Sequence, residues 1–324
     1  MTGRCQHVDV PSEGMQLGES ATVQREEMRK PNSDPAHTTK AGSAQWFDDH
    51  WECALERVTY LYPRESPTTQ WELFEREKTR HIDHLLKERQ LSGGLVLECG
   101  CGTGGMSIYL ANQRWTAIAT DISRKALDLA RLNAHENLES DALGQVQLLA
   151  ADVLSLPFTD NSCHVVMSHG LLEHFDLLSA RAVLREMVRV LRPGGLLLAD
   201  ISHGSFSVRK VTRWLNLPVS LVYYICRADL YSLRAMWRSY FDGFYENSLN
   251  TEDWERELKT AALSEVQVEV LRPFPPLDLT PSMDRLYVRL MQRLLRFWLW
   301  FDQAQSWFTR RWGWLYLAYG AKPR

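Results

Sequence analysis

The sequence has no strong excess of charge of either sign: 37 Lys and Arg against 40 Asp and Glu leave a net charge of -3. A dedicated nucleic-acid binder usually carries a basic excess, so this balance argues against that class. Cysteine is scarce, and six in 324 residues are too few for a disulfide scaffold. No C-x-x-C pair and no Cys/His cluster has zinc spacing, so no metal site is expected. Long apolar runs are missing as well. No stretch reaches about 18 apolar residues without a charge, so no transmembrane helix is expected. The nearest approach, LYVRLMQRLLRFWLWF, is broken by Arg289, Arg293 and Arg296. The N-terminus, MTGRCQHVDVPSEG, lacks an apolar run after a basic start. No secretion signal is expected, and a reduced cytoplasmic compartment is the default. What the chain does have is tryptophan, 12 residues of it, in an otherwise ordinary globular composition.

Residues 1–40 are rich in Gly, Ser, Thr, Pro and charge, lack apolar periodicity and are expected to form a disordered tail. Residues 41–92 read as an N-terminal helical cap, in which Thr69-Gln-Trp-Glu72 fits a capping box opening a helix to about Arg89. From residue 93 short apolar runs alternate with amphipathic helices. Strands are expected at Leu95–Cys99, Trp115–Thr120, Val146–Ala150, Cys163–Ser168 and Leu196–Ser202. Helices are expected at Gly105–Gln113, Ser123–Glu139 and Ser179–Leu191, with Arg192-Pro-Gly-Gly195 as a turn. This alternation implies an α/β fold with a parallel sheet covered by helices on both faces. The rhythm breaks at 205–248, resumes with a helix at Thr251–Ala262 and a strand at Glu265–Leu271, and breaks again at 273–312. A last strand lies in WLYLAYGAK.

The strongest local signal is VLECGCGTGG at 96–105, a buried strand running into a turn with Gly100, Gly102 and Gly104 and then a helix. Glycines are needed where the backbone turns sharply and a ligand comes close. Gly100, Gly102 and Gly105 also satisfy G-x-G-x-x-G, so a dinucleotide site has to be weighed. Glu98, two residues before the first glycine, suits a ligand with a cationic amine and is unhelpful beside a pyrophosphate. Asp121 ends the second strand, where a carboxylate can accept from ribose hydroxyls of either ligand class. Asp152 follows the third strand in AADVLSLPF.

These runs, VLECGCGTGG, ATDIS, AADVLSLPFTDNSCHVVMSHGLLEHF and LRPGGLLLAD, in this order and spacing, resemble the class I S-adenosylmethionine-dependent methyltransferases. The resemblance is greatest to the small-molecule group called methyltransferase type 11, and it covers about residues 93–202. It implies a Rossmann-like sheet of seven strands, the last antiparallel, here with two aromatic helical inserts. It also implies S-adenosylmethionine as methyl donor. Glu98 would hold the methionine amino group, and Gly100, Gly102 and Gly104, with Cys101 between them, would form the loop under the methionine moiety. Asp121 would bind the ribose hydroxyls, with Ile122 packing on the adenine. Asp152 would accept the adenine amine, the Val153 N–H would reach the ring, and Ser168 and His169 would line the sulfonium side. Asp152 as a turn residue making its own Asx bond remains open beside this reading. Cys99 and Cys101 read as small packed side chains rather than a redox pair.

Methyl transfer from a sulfonium is an in-line displacement that needs no metal, and positioning supplies much of its rate. A general base helps when a hydroxyl or ring carbon must lose a proton. The candidates are His169, Glu173, His174, His203 and the insert tyrosines. Some relatives carry E-x-x-E-H and a divalent ion after the fourth strand. Here Gly170 replaces the first carboxylate, so metal dependence is not expected, and Glu173 and His174 also read as a pair bonding the backbone at a helix start.

The first insert and Trp46 to Tyr62 are expected to form a substrate lid, since inserts after strand ends sit over the ligand crevice. In the second insert, steps of about 100° per residue put Arg285, Arg289, Arg293 and Arg296 in one stripe, while apolar residues cover nearly all the rest. The parent sheet, a lid, a second subunit in a homodimer or a membrane surface met through 283–301 could each meet that arc. The expected activity is methylation of a hydrophobic or lipid-linked small molecule on oxygen or carbon, in the cytoplasm or peripheral at a membrane. A polar metabolite or sugar as acceptor, or an inactive cofactor-binding protein, stands as the alternative.

Overall fold

The computed structural model describes residues 47–48, 51, 62–142, 144–202, 208–228, 230, 233, 247, 249–271, 281–303, 306–313 and 315–324. Residues 1–40, Trp46, His203 and most of 227–248 lie outside them, and with them the expected tail and much of the expected lid.

Helix α1 spans Gln70–Glu88 and starts as the capping box requires. The Thr69 side chain accepts from Glu72 N, and the Glu72 carboxylate reaches back to Thr69 N. Then follow β1 (Leu95–Cys99), α2 (Gly105–Asn112), β2 (Thr116–Asp121), α3 (Arg124–Asn137), β3 (Val146–Ala150), β4 (Cys163–His169), a single 3-10 turn (Leu172–His174), α4 (Leu177–Val190) and β5 (Leu191–Ser202). The remainder is α5 (Val208–Cys226), α6 (Thr251–Thr260), β6 (Ser264–Val270), α7 (Pro281–Arg293), α8 (Leu295–Gln303), α9 (Trp307–Trp312) and β7 (Leu315–Ala321).

The strands form one seven-stranded sheet in the order β3-β2-β1-β4-β5-β7-β6, with β7 antiparallel to both neighbours. Alternation along each central strand fills two cores, because successive side chains point to opposite faces. Leu97, Val166 and Leu197 pack with α4 and α6 on one face. Val96, Val165, Met167 and Leu198 pack with Ile82, Leu85 and Leu86 of α1 and Met106 and Leu110 of α2 on the other. Both faces are therefore dry, as continuous apolar strands demand.

Two expectations need correction. Arg192-Pro-Gly-Gly195 is not a turn outside the sheet but part of β5, which begins at Leu191. The register slips between Cys163 and Val165, and Gly194 N and Lys322 N bond across to Lys322 and Gly195 carbonyls, so this stretch is paired although it contains proline. Helix α4 begins earlier than Ser179 because Asp176, not Ser179, is its N-cap, accepting from Ser179 N.

Candidate active site

The carboxyl ends of β1, β2, β4 and β5 lie side by side, Cys99 opposite Thr120 and Ser168, and His169 opposite Asp200. Glu98, Asp121, Ser168 and His169 are delivered by these ends. Glu98 is buried, and its Oε2 accepts from Ser107 N and Ser107 Oγ on the first turns of α2. Burial raises its pKa, with His169 and the Ser107 donors pulling the other way. Asp121 is likewise buried, with Oδ2 accepting from Gly102 N and Oδ1 from Ser123 N, each at 2.9 Å. Its pKa is also raised by burial, partly offset by those amides. Two buried carboxylates held ready, one at each end of a glycine loop, are acceptors suited to a ligand with an ammonium group and vicinal hydroxyls.

The loop between them requires glycine. Gly100 and Gly102 are left-handed, with φ of +67° and +52°. A Cβ at Gly102 would come within 2.9 Å of the Trp51 ring, and one at Gly100 within 2.8 Å of Leu171. Cys101 is anchored by its N–H to Thr120 O at 2.8 Å. Burial pushes the Cys99 and Cys101 thiols up, so both stay protonated packing groups. Ile122 is partly exposed at the lip of the site, and Val153 packs at the edge of the core. Asp152 is exposed and makes the Asx bond to Leu154 N at 2.9 Å, through Oδ1 alone.

The end of β4, expected to face the sulfonium, is more elaborate than its sequence. Ser168 is fully buried and its Oγ has no hydrogen-bond partner. Beside it the His169 Nδ1 lies 3.1 Å from Asp200 Oδ2, an ion-pair distance without good hydrogen-bond geometry, and its Nε2 makes no hydrogen bond among the described residues. Asp200 is fully committed. Its Oδ2 also meets Lys78 Nζ at 2.9 Å, and its Oδ1 accepts from Gly170 N at 2.6 Å. Lys78 comes from α1 and contacts Glu75 at 2.9 Å as well. Burial opposes both charges, yet the pairing wins: Asp200 is held well below the usual carboxylate range, and the Lys78 pKa is raised by Asp200 and Glu75.

Glu173 and His174 sit in the 3-10 turn. Glu173 is buried with Oε1 accepting from Ser202 N at 3.1 Å, a tie between the ends of β4 and β5. Gly170, where a carboxylate would be needed for an E-x-x-E-H set, has φ +63°, a conformation that disfavours any side chain. No group of three or more His, Cys, Asp or Glu among the described residues could hold a metal ion. His203 lies outside the described residues.

Three contributors escaped the sequence reading. Asp200 stood in plain view in LRPGGLLLAD as the strand-end acid, but only the pairing of β4 with β5 reveals its partner. Lys78 lies 122 positions away from Asp200, and no local pattern links them. Asp48 accepts from Ser123 Oγ and from Lys125 N, capping α3 from outside. The Trp51 ring lies against Gly102.

The site fits S-adenosylmethionine on this chain's own observations: left-handed glycines under a strand end, buried acceptors at Glu98 and Asp121, and an unpartnered buried hydroxyl at Ser168. Sheet order and site together define a class I S-adenosylmethionine-dependent methyltransferase fold. Residues 97–199 match the family model described as a methyltransferase domain. The chain is similar to the O-methyltransferase rstn1 of Aspergillus nomiae, 31% identical over 140 residues, which are 40% of this chain and 60% of that protein. It is also similar to a demethylmenaquinone methyltransferase of Oceanobacillus iheyensis, 31% identical over 126 residues, 38% of this chain and 50% of that protein. The chain thus spans little more than half the length of these curated relatives. The solved structure of the cyclase SpnF shares the fold at 16% identity and a TM-score of 0.52, covering 87% of this chain and 96% of that one. That likeness is of fold alone, so the reaction has to be argued from the site.

Proposed function

We propose that the protein transfers the methyl group of S-adenosylmethionine to an oxygen or carbon atom of a hydrophobic small molecule, with His169 as the general base. The observation that carries this reading is the chain of buried contacts from Lys78 through Asp200 to His169 Nδ1. When bound, the cofactor supplies a methyl group already activated on sulfur.

The protein's residues have three tasks. Glu98 holds the ammonium end, Asp121 the ribose hydroxyls, and the Gly100–Gly104 backbone lets the ligand lie close. Asp152 and Val153, beyond the end of β3, would meet the base, with Ile122 against its face. Asp200, fixed as an anion by Lys78 and the Gly170 amide, lies 3.1 Å from His169 Nδ1, and its charge favours the tautomer with the proton on that nitrogen. That tautomer leaves the Nε2 lone pair free to take a proton from an acceptor hydroxyl or carbon acid. Asp200 also stabilises the imidazolium formed at that moment. His174 and His203 are not assigned this role: the β4–β5 pairing gives His169 its carboxylate.

A hydrophobic acceptor is supported by the two aromatic inserts leaving the sheet at the site's end, and by a relative named for demethylmenaquinone. The test is methyl transfer from labelled cofactor with His169→Ala. Loss of turnover by about 100-fold, a general base's usual worth, with cofactor binding retained, supports the assignment. Undiminished turnover removes His169 from the mechanism.

A further inference from the structure

Around the α7–α8 rod three zones follow one another. Tyr287, Val288 and Met291 are buried, on the side where α1 offers Leu73 and Phe74. Arg285, Arg289, Arg293 and Arg296 are all exposed, and none forms an ion pair among the described residues. Between these zones lie Leu286, Leu290, Leu294 and Phe297, with exposures of 65%, 49%, 40% and 50%. Leu294 N bonds Leu290 O and Trp298 N bonds Leu294 O, so the helical path carries across the junction. The wide apolar arc of the sequence is therefore only half used as core.

Helix α5 repeats the feature, with Leu215, Val219, Val222 and Ile225 exposed by 69%, 64%, 62% and 62%. Both helices follow strand ends on the active-site side. β5 ends at Ser202 before α5, and β6 ends at Val270 before α7, with Tyr316 of β7 pairing both Ile201 and Val270. Lys78, which reaches Asp200, lies on the same α1 that carries Leu73 and Phe74.

We propose that the exposed apolar stripe and Arg stripe of α7–α8 dock on an anionic lipid surface beside the active site. Leucines and Phe297 beside four guanidinium groups without an ion pair among the described residues, with Trp300 and Trp307 exposed by 63% and 77%, have the chemistry of a helix lying flat in a headgroup layer. A second copy of this chain is the poorer occupant. A two-fold contact sets a patch against itself, and would bring the two Arg stripes together without acids between them. The net charge of -3 makes the local stripe, not overall attraction, responsible for any lipid binding. The proposal deepens the reading of a hydrophobic acceptor and rests on it for its meaning, though lipid binding itself is measured without cofactor or acceptor.

The experiment is co-sedimentation of the full chain with vesicles of equal parts phosphatidylglycerol and phosphatidylcholine, and with phosphatidylcholine alone. Pelleting with the anionic vesicles at low salt, reversed by high salt, is expected. Arg289→Glu with Arg293→Glu should lower partitioning roughly tenfold or more. Leu290→Ser with Phe297→Ser should lower it too, and both variants should keep the circular dichroism of the parent. No pelleting, or pelleting that survives both double variants, overturns the proposal. So does a dimer on sizing that Leu290→Ser with Phe297→Ser splits, which would assign the face to a second copy. Methyl transfer to an acceptor presented without vesicles tests the activity separately, so failure of one reading is distinguishable from failure of the other.

Discussion

Asp121 and Glu98 are each buried carboxylates whose oxygens already accept backbone N–H groups, and that arrangement makes their substitutions diagnostic. Asp121→Ala removes the acceptor proposed for the ribose hydroxyls and should weaken S-adenosylmethionine binding by about 1–3 kcal/mol, read by calorimetry. NADH, whose pyrophosphate would meet Glu98, should not bind. For Glu98 the sign of the pH effect is opposite to the ordinary acid case. Its folded-state pKa is raised, so the free protein loses stability as pH climbs from the usual carboxylate range through that raised value. Glu98→Gln should therefore leave the free protein as stable or more so near neutral pH, while costing cofactor affinity about 1.5–3 kcal/mol, the worth of a hydrogen bond to a charge. Thermal melts with and without cofactor measure both halves. At this scale much of the site was legible. Glu98, the glycines and Asp121 are read from one strand-turn-helix and the next strand end, because local sequence dictates them. Asp152 was legible only as an ambiguity, and its bond to Leu154 N shows the turn role to be real. His169 could be named but not explained, since its partner arrives through strand pairing.

Elements bring the remote partners together. Lys78 is placed by the capping box at Thr69 and by the packing of Ile82, Leu85 and Leu86 on the sheet, since at i, i+4, i+7 and i+8 it shares their face of α1 and is turned with them toward Asp200. Removing one member of a buried ion pair strands the other, so Lys78→Met should cost about 3–5 kcal/mol of stability in urea unfolding. Asp200→Asn made in the Lys78→Met background should cost much less than in the parent, the non-additivity expected of contacting groups. Asp200 has a lowered folded-state pKa, so its contribution is complete above the usual carboxylate range and is lost as pH falls through the folded value. The parent protein should lose stability on acidification more steeply than Asp200→Asn. In turnover, Asp200→Asn should lower kcat, because the imidazolium formed during transfer loses the anion 3.1 Å from its Nδ1. The alternation of strands and helices was legible because each element signals its own period and caps. The β5 start was not, since a proline-glycine run reads as a turn until its partners, Cys163 of β4 and Lys322 just past β7, are known. Nor could the periodicity of α7 say which part of its arc meets α1.

At the scale of the whole molecule, the sheet gathers every proposed functional group at one end, and both inserts leave from that same end. The Trp51 ring lies against Gly102 of the glycine loop, so Trp51→Ala should speed cofactor release, measured by displacement kinetics. Gly170 in a left-handed conformation and Glu173 tied to Ser202 leave no carboxylate set for a divalent ion there, and excess chelator should not change the rate. The central claim is that this end of the sheet carries a methyl group from S-adenosylmethionine to a hydrophobic acceptor by way of His169. Its most direct test is to incubate the protein with methyl-labelled cofactor and a cell extract, then partition the products between organic solvent and water. The account predicts label in the organic phase with the parent protein and about 100-fold less with His169→Ala, at unchanged cofactor affinity. Label confined to the aqueous phase, or equal transfer by the variant, would contradict it.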